Sequence, residues 1–200
     1  MRNRKELEEF IKSNPKFLYT LKPYQPPDRP LVAKMMAQAA QSAGVGPMAA
    51  VAGALADLAV AEMKQIGCEV AVVENGGEIS ATSNVPIDVA VAAGEEPLSR
   101  RFGFRLIDFP IGVATSSGRF SHALSFGDAE AAIVFCKDAS LADAAATMVG
   151  NVVRGVNVDE GIKSGIKRGM GIGGVEGVLI IYKGKVGMAG KIPEIIKVDE

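Results

Sequence analysis

The sequence predicts a single-domain α+β fold, with a mixed but mainly antiparallel sheet packed against Ala-rich helices. Three observations carry that reading. Helical apolar periods fill the first third of the 200 residues, strand-like runs dominate the middle, and helix returns before a closing hairpin. No regular strand–helix–strand alternation runs through the chain, which argues against a doubly wound parallel sheet. Hydrophobic residues make up 48% of the chain, enough for a sizeable core, and 200 residues fit one domain. The chain divides into residues 1–30, a helix and a Pro-rich connector, and residues 31–200, the α+β domain.

Residues 3–13 have the spacing of a short charged helix, with Leu7, Phe10 and Ile11 as its apolar stripe. Asn14-Pro15 ends it, because a residue before proline disfavours helical backbone. Segment 22–30, KPYQPPDRP, holds four of the ten prolines and reads as extended. A second helix is expected over 31–43, with Leu31, Met35, Ala39 and Ala43 inward. Gly44-Val45-Gly46-Pro47 breaks it, and a third helix follows over 48–66 with Val51, Leu55, Ala59, Met63 and Ile66 inward. After Gly67 the apolar period changes to that of strands, expected at 69–74, 78–81, 87–92, 106–109, 113–115 and 131–135. Helices at 139–153 and 157–168 come next. Strands 178–182 and 186–189 close the chain, joined by Lys183-Gly184-Lys185 as a tight hairpin.

Composition excludes several classes. A net charge of -1 leaves no large phosphate-tracking surface, and the absence of Trp removes stacking platforms for single-stranded nucleic acid. No run approaches the ~18 apolar residues of a membrane span. The N-terminus, MRNRKELEEFIKSN, has basic residues without an apolar stretch behind them, so it does not read as a secretory signal. A cytoplasmic protein with no nucleic-acid or membrane partner is expected. Cys68 and Cys136 stand apart in apolar surroundings and read as buried thiols.

Polar side chains gather between Ile111 and Asn151. Asp143 and Thr147 are four apart on a helix, so one face offers two hard oxygens suited to Mg²⁺. The alternative is a helix cap, because Ser140-Leu-Ala-Asp143 matches a capping box. Glu74-Asn75-Gly76-Gly77-Glu78 follows a strand and either lets backbone amides meet a nucleotide or simply turns the chain. Thr115-Ser116-Ser117-Gly118-Arg119 has hydroxyls and an arginine suited to phosphate, or is a hydroxyl-rich turn. His122, the sole histidine, follows this segment. Gly169-Met-Gly171-Ile-Gly173-Gly174 fits the dinucleotide spacing but has helix before and strand after, the reverse of what that fingerprint requires. Lys163, Lys167, Arg168, Lys183, Lys185 and Lys191 read as a solvated basic face.

Taken in order, N-G-G-E-I after a strand, G-V-A-T-S-S-G-R-F-S-H and the helical A-D-A-A-A-T resemble the ApbE-like family of FAD:protein FMN transferases. The chain looks more like the short, uncharacterised branch of that superfamily, found in methanogens and other anaerobes, than like the full transferases. The resemblance spans roughly residues 45–190. The resemblance implies an ApbE-like fold, FAD as substrate or ligand, Mg²⁺ as cofactor and an acceptor protein as partner. It also places metal on Asp143 and Thr147, nucleotide beside Asn75, Gly76, Gly77 and Glu78, and phosphate beside Thr115, Ser116, Ser117 and Arg119. His122 matches the family histidine and is the catalytic candidate. Two positions differ from the transferases. Ala52-Gly53 stands where they carry Lys-Gly, and Ala123-Leu124-Ser125-Phe126-Gly127 replaces their Asp-Pro-x-Thr-Gly loop. The chain begins on a helix where relatives have leading strands, so an uncovered sheet edge and a homodimer are expected. The alternative function is a non-catalytic accessory or ligand-binding protein in the sulfide assimilation and homocysteine formation of anaerobic archaea.

Overall fold

The computed structural model describes residues 2–91, 102–117 and 127–198. Gly118, Arg119, His122 and the segment 123–126 lie outside the described residues. Helices come first: α1 Arg2–Ser13, α2 Pro15–Tyr19, α3 Leu31–Ala43, a 3-10 turn Pro47–Ala50 and α4 Val51–Gln65. Strands follow: β1 Ala71–Asn75, β2 Glu78–Thr82, β3 Ile87–Ala90, β4 Phe102–Leu106, β5 Ile111–Ser116 and β6 Ala131–Cys136. The chain then runs through α5 Ala139–Val152, α6 Val158–Met170, β7 Val175–Tyr182, β8 Lys185–Gly190 and β9 Glu194–Lys197.

The elements stack in three layers. A six-stranded sheet in the order β1-β2-β5-β6-β7-β8 lies in the middle, and a three-stranded sheet β3-β4-β9 covers part of one face. Helices cover the other face. Each described strand pair is antiparallel, and this confirms the α+β class. Strand alternation divides the side chains. On β6, Ala132, Val134 and Cys136 enter the helix-side core, while Ala131, Ile133 and Phe135 enter the core between the sheets. Phe104 and Phe135 meet there nearly edge to face, ring centroids 4.9 Å apart. On the rim of the small sheet, Arg105 donates two hydrogen bonds, 2.9 and 2.8 Å, to the exposed Asp88.

Residues 2–30 join the helix-side core through Leu7, Phe10, Ile11, Phe17 and Tyr24. Asn14-Pro15 ends α1 as expected, but Pro15 also starts α2, which was not anticipated. Proline suits a first helical position because its missing amide has no partner there anyway. The inner face of α3 is rotated from the expected one. Val32, Met36, Ala40 and Ala43 are fully buried, while Leu31 is 55% exposed. Helix α4 buries Gly53, Ala54, Ala56, Leu58 and Val60, whereas Ile66 lies beyond its end and is 82% exposed. Both helices are pressed from more than one side, α3 by α1 and α5, α4 by α5 and the β1–β2 hairpin. Small residues sit where those contacts are tightest, and the bulky ones flank them.

Other expectations shift in detail. β4 begins at Phe102 and ends before Phe109, and β9 is a further strand at 194–197, just after Pro193. Cys136 is buried, but Cys68 is only half-buried. The 169–174 glycines join α6 to β7. The C-terminal basic residues are dispersed. Lys185 pairs with Asp159 at 2.8 Å, Lys191 with Asp108 at 3.0 Å, and Arg168 donates to the Ala43 carbonyl that ends α3. Among the described residues no single helix is long and apolar enough to cross a membrane. The pair Leu31–Ala43 and Pro47–Gln65, bent by 104°, meets that test together by length and composition only.

Candidate functional site

The start of α5 is the centre of the candidate site. Four amides at a helix start lack partners within the helix. Asp138, the N-cap, accepts from one of them, the Leu141 amide, through its carboxylate at 2.8 Å, while its carbonyl takes the first ordinary bond of the helix from the Ala142 amide at 3.3 Å. Asp57, a half-buried residue of α4, takes two more. Its Oδ1 accepts from the Ala139 amide and its Oδ2 from the Ser140 amide, both at 2.9 Å. Ser80 Oγ of β2 donates to the same Oδ1 at 2.7 Å.

The capping-box alternative for Asp143 is therefore corrected. Ser140 lies inside α5, so Asp143 stands too far along to close the end. Asp143 Oδ2 instead accepts from the Gly53 amide of α4 at 3.0 Å. Glycine is required at 53, because a Cβ there would collide with the Ala139 carbonyl. Asn75 Nδ2 donates to the Ala52 carbonyl at 3.0 Å and ties the β1–β2 hairpin to the same corner.

Gly76 and Gly77 form the two-residue turn of that hairpin, with φ of 72° and 108°, values that favour glycine. The Gly77 amide already donates to Glu74 at 2.7 Å. Asn75 and Glu78 are directly paired across the hairpin, so both point to the helix side, as does Ser80 two residues on. Glu78 is buried and Asp143 partly so. Loss of solvation raises the Glu78 carboxyl to about 8, and the Asp143 charge adds to the rise. Loss of solvation raises Asp143 to about 7 against the opposing amides of Gly53 and Ala52. Among the described residues no Lys or Arg lies within ion-pair distance of either group.

The expected phosphate segment is placed differently from a loop. Thr115 and Ser116 are the last residues of β5, so they point to opposite faces. Ser116 faces α5 at Gly150. Thr115 and Gly77 line a cavity of about 220 Å³ between the sheets, with Glu74, Ile79, Phe104 and Ile133. Thr147 lines a different cavity of about 340 Å³, with Leu18, Thr20, Val45, Met48 and Asn151. Asn75, Glu78, Asp143, Thr147 and Ser116 thus share the helix side, and Thr115 does not. Asp57 was missed by sequence reasoning. Its partners are 23, 82 and 83 residues away, and no local pattern marks it.

No group of three or more His, Cys, Asp or Glu among the described residues is arranged to hold a metal. A cation here depends on Asp143, the Thr147 hydroxyl one turn along, and oxygens from backbone, water or ligand. Hard oxygens with uncompensated negative charge nearby are the donor set Mg²⁺ takes, so the residues present fit that ion.

A profile of the family described as AbpE bacteria matches residues 1–185. A UPF0280 protein of Methanococcus vannielii is 40% identical over 202 residues, 98% of this chain and 81% of that protein. Among solved structures, the flavin transferase ApbE of Vibrio cholerae, H257G mutant, aligns with 93% of this chain and 73% of its own at 15% identity and a TM-score of 0.49. The apo flavinyl transferase ApbE of Pseudomonas stutzeri aligns with 74% of this chain at 17% identity and a TM-score of 0.47. The chain spans about half the length of that structure, 48%.

Proposed function

The chain belongs to the AbpE bacteria family, and from that membership we propose that it binds FAD beside Mg²⁺ and breaks the nucleotide's pyrophosphate, as a flavin transferase or an FAD hydrolase. One observation carries the reading. Glu78 and Asp143 form a desolvated acidic pair with no described cationic partner, and Thr147 stands one helical turn from Asp143. In this reading Asp143 and Thr147 hold the ion. Bound Mg²⁺ would neutralise charge on the pyrophosphate oxygens. Asn75, Gly76, Gly77 and Glu78 border the nucleotide. Ser116, Ser117 and Arg119 serve its phosphates, Thr115 being left out because it faces the cavity between the sheets, and His122 is the proton-transfer group. The attacking hydroxyl comes from an acceptor protein in transfer and from water in hydrolysis. A cytoplasmic location and a homodimer belong to the same proposal.

Binding without turnover is the second reading, as in an accessory protein of sulfide assimilation. It is favoured by Ala52-Gly53, which meets Asp143 with backbone amides where the transferases carry a lysine. Incubation with FAD and Mg²⁺ separates the two. AMP release that falls at least about 100-fold in Asp143→Ala is expected of the enzyme. FAD binding with no AMP release supports the accessory role. Absence of FAD binding at saturating Mg²⁺ ends both.

A further inference from the structure

We propose that Asp57 is the positioning residue of this site, setting the register in which α4, α5 and β2 bring Gly53, Asp143 and Glu78 together. The part of this inference that concerns a cation rests on the function proposed above. The geometry of Asp57 does not. Its carboxylate joins all three elements at once, through the Ala139 and Ser140 amides of α5 and the Ser80 hydroxyl of β2.

Each tie lies one structural repeat from a site residue. Gly53 and Asp57 are four apart on α4, and Ala139 and Asp143 are four apart on α5, so each pair shares a helix face. Glu78 and Ser80 are two apart on β2 and share a strand face. The Asp57 cluster therefore ties the same three elements one repeat along from Gly53, Asp143 and Glu78. End-capping alone does not account for it, because Asp57 also holds the Ser80 hydroxyl of the sheet, and Asp138 already gives α5 a local cap. Asp57 takes the amides that Asp138 does not reach and adds a bond to the sheet.

Backbone amide exchange and Mg²⁺ titration of the full chain test the proposal. The Gly53 amide, which crosses to Asp143, is the reporter. Asp57→Ala should speed its exchange about tenfold or more, with Val149 in mid-α5 and Ile180 in β7 unchanged, and weaken the calorimetric Kd for MgCl2 about 10–100-fold. Asp57→Asn keeps one acceptor oxygen, should fall between, and replaces the alanine variant if that one does not fold. Unchanged Gly53 exchange, or equal acceleration at Val149, overturns the proposal. If wild type takes up no Mg²⁺, the proposed function falls while the exchange result still decides the role of Asp57.

Discussion

The two faces of the six-stranded sheet differ in their share of small and polar residues. Toward the small sheet, Phe104, Phe135, Ile133, Leu179 and Ile181 fill the space with large apolar side chains. Toward the helices, Ala-rich surfaces let backbones come close, and polar groups are tucked into the contacts: Asp57, Asn75, Glu78, Ser80 and Asp143. The contrast separates two tasks. Bulky packing supplies stability, while close backbone approach leaves amides and carboxylates within reach of each other.

Truncation on the apolar face should hurt stability most. Phe135→Ala is expected to cost ~3–5 kcal/mol in urea unfolding, since it removes a fully buried ring and its partner contact with Phe104. Nucleotide binding per folded molecule should stay unchanged. Its loss would show that the two faces are not separate.

On the helix face, Gly53→Ala adds one methyl but drives it into the Ala139 carbonyl. A loss of ~1–3 kcal/mol is expected from such overpacking. Wild-type stability by chemical denaturation would remove the close approach from the account.

The acidic pair predicts a pH effect spread over several units. A carboxyl whose pKa is raised in the folded state contributes stability that is full below its unfolded pKa and lost as pH rises through the folded one. For Glu78 and Asp143 that window runs from the ordinary values of 4.5 and 3.8 up to about 8 and 7. Each retained proton changes stability by at most about 1.4 kcal/mol per pH unit within it. Without divalent ions, melting temperature should therefore fall from pH 5 to pH 8. Glu78→Gln should flatten the slope and melt above wild type at pH 8. A flat wild-type profile would contradict the desolvated pair.

The smallest effect is expected on the rim. Arg105→Ala removes an exposed ion pair with Asp88 and should leave the melting temperature essentially unchanged. A clear drop would mean the small sheet depends on its edge more than on Phe104.

Much of this contrast was legible in the residues. The runs around Ala131–Phe135 and Val178–Tyr182 are long and β-branched, and the 139–153 periodicity is unbroken, so these elements could be read directly. Asn75 to Glu78 and Asp143 were also visible as polar groups in apolar surroundings. Orientation was not. The helical phases of α3 and α4 depend on which neighbours press on them, and the split of Thr115 from Ser116 depends on where β5 ends. Short α2 and β9 carry too few residues for a period to emerge. Asp57 acts only through partners that folding brings to it.

That last point bears on how the molecule comes together. Asp138 serves one of the unpartnered amides at the start of α5, and Asp57 serves two more from a helix made much earlier in the chain. As the protein emerges from the ribosome, α4 comes out first and carries the missing acceptor. A peptide spanning α5 alone would start with two amides dependent on water. The helix that bears Asp143 thus matures when it docks, and assembly of the core and assembly of the site become a single event.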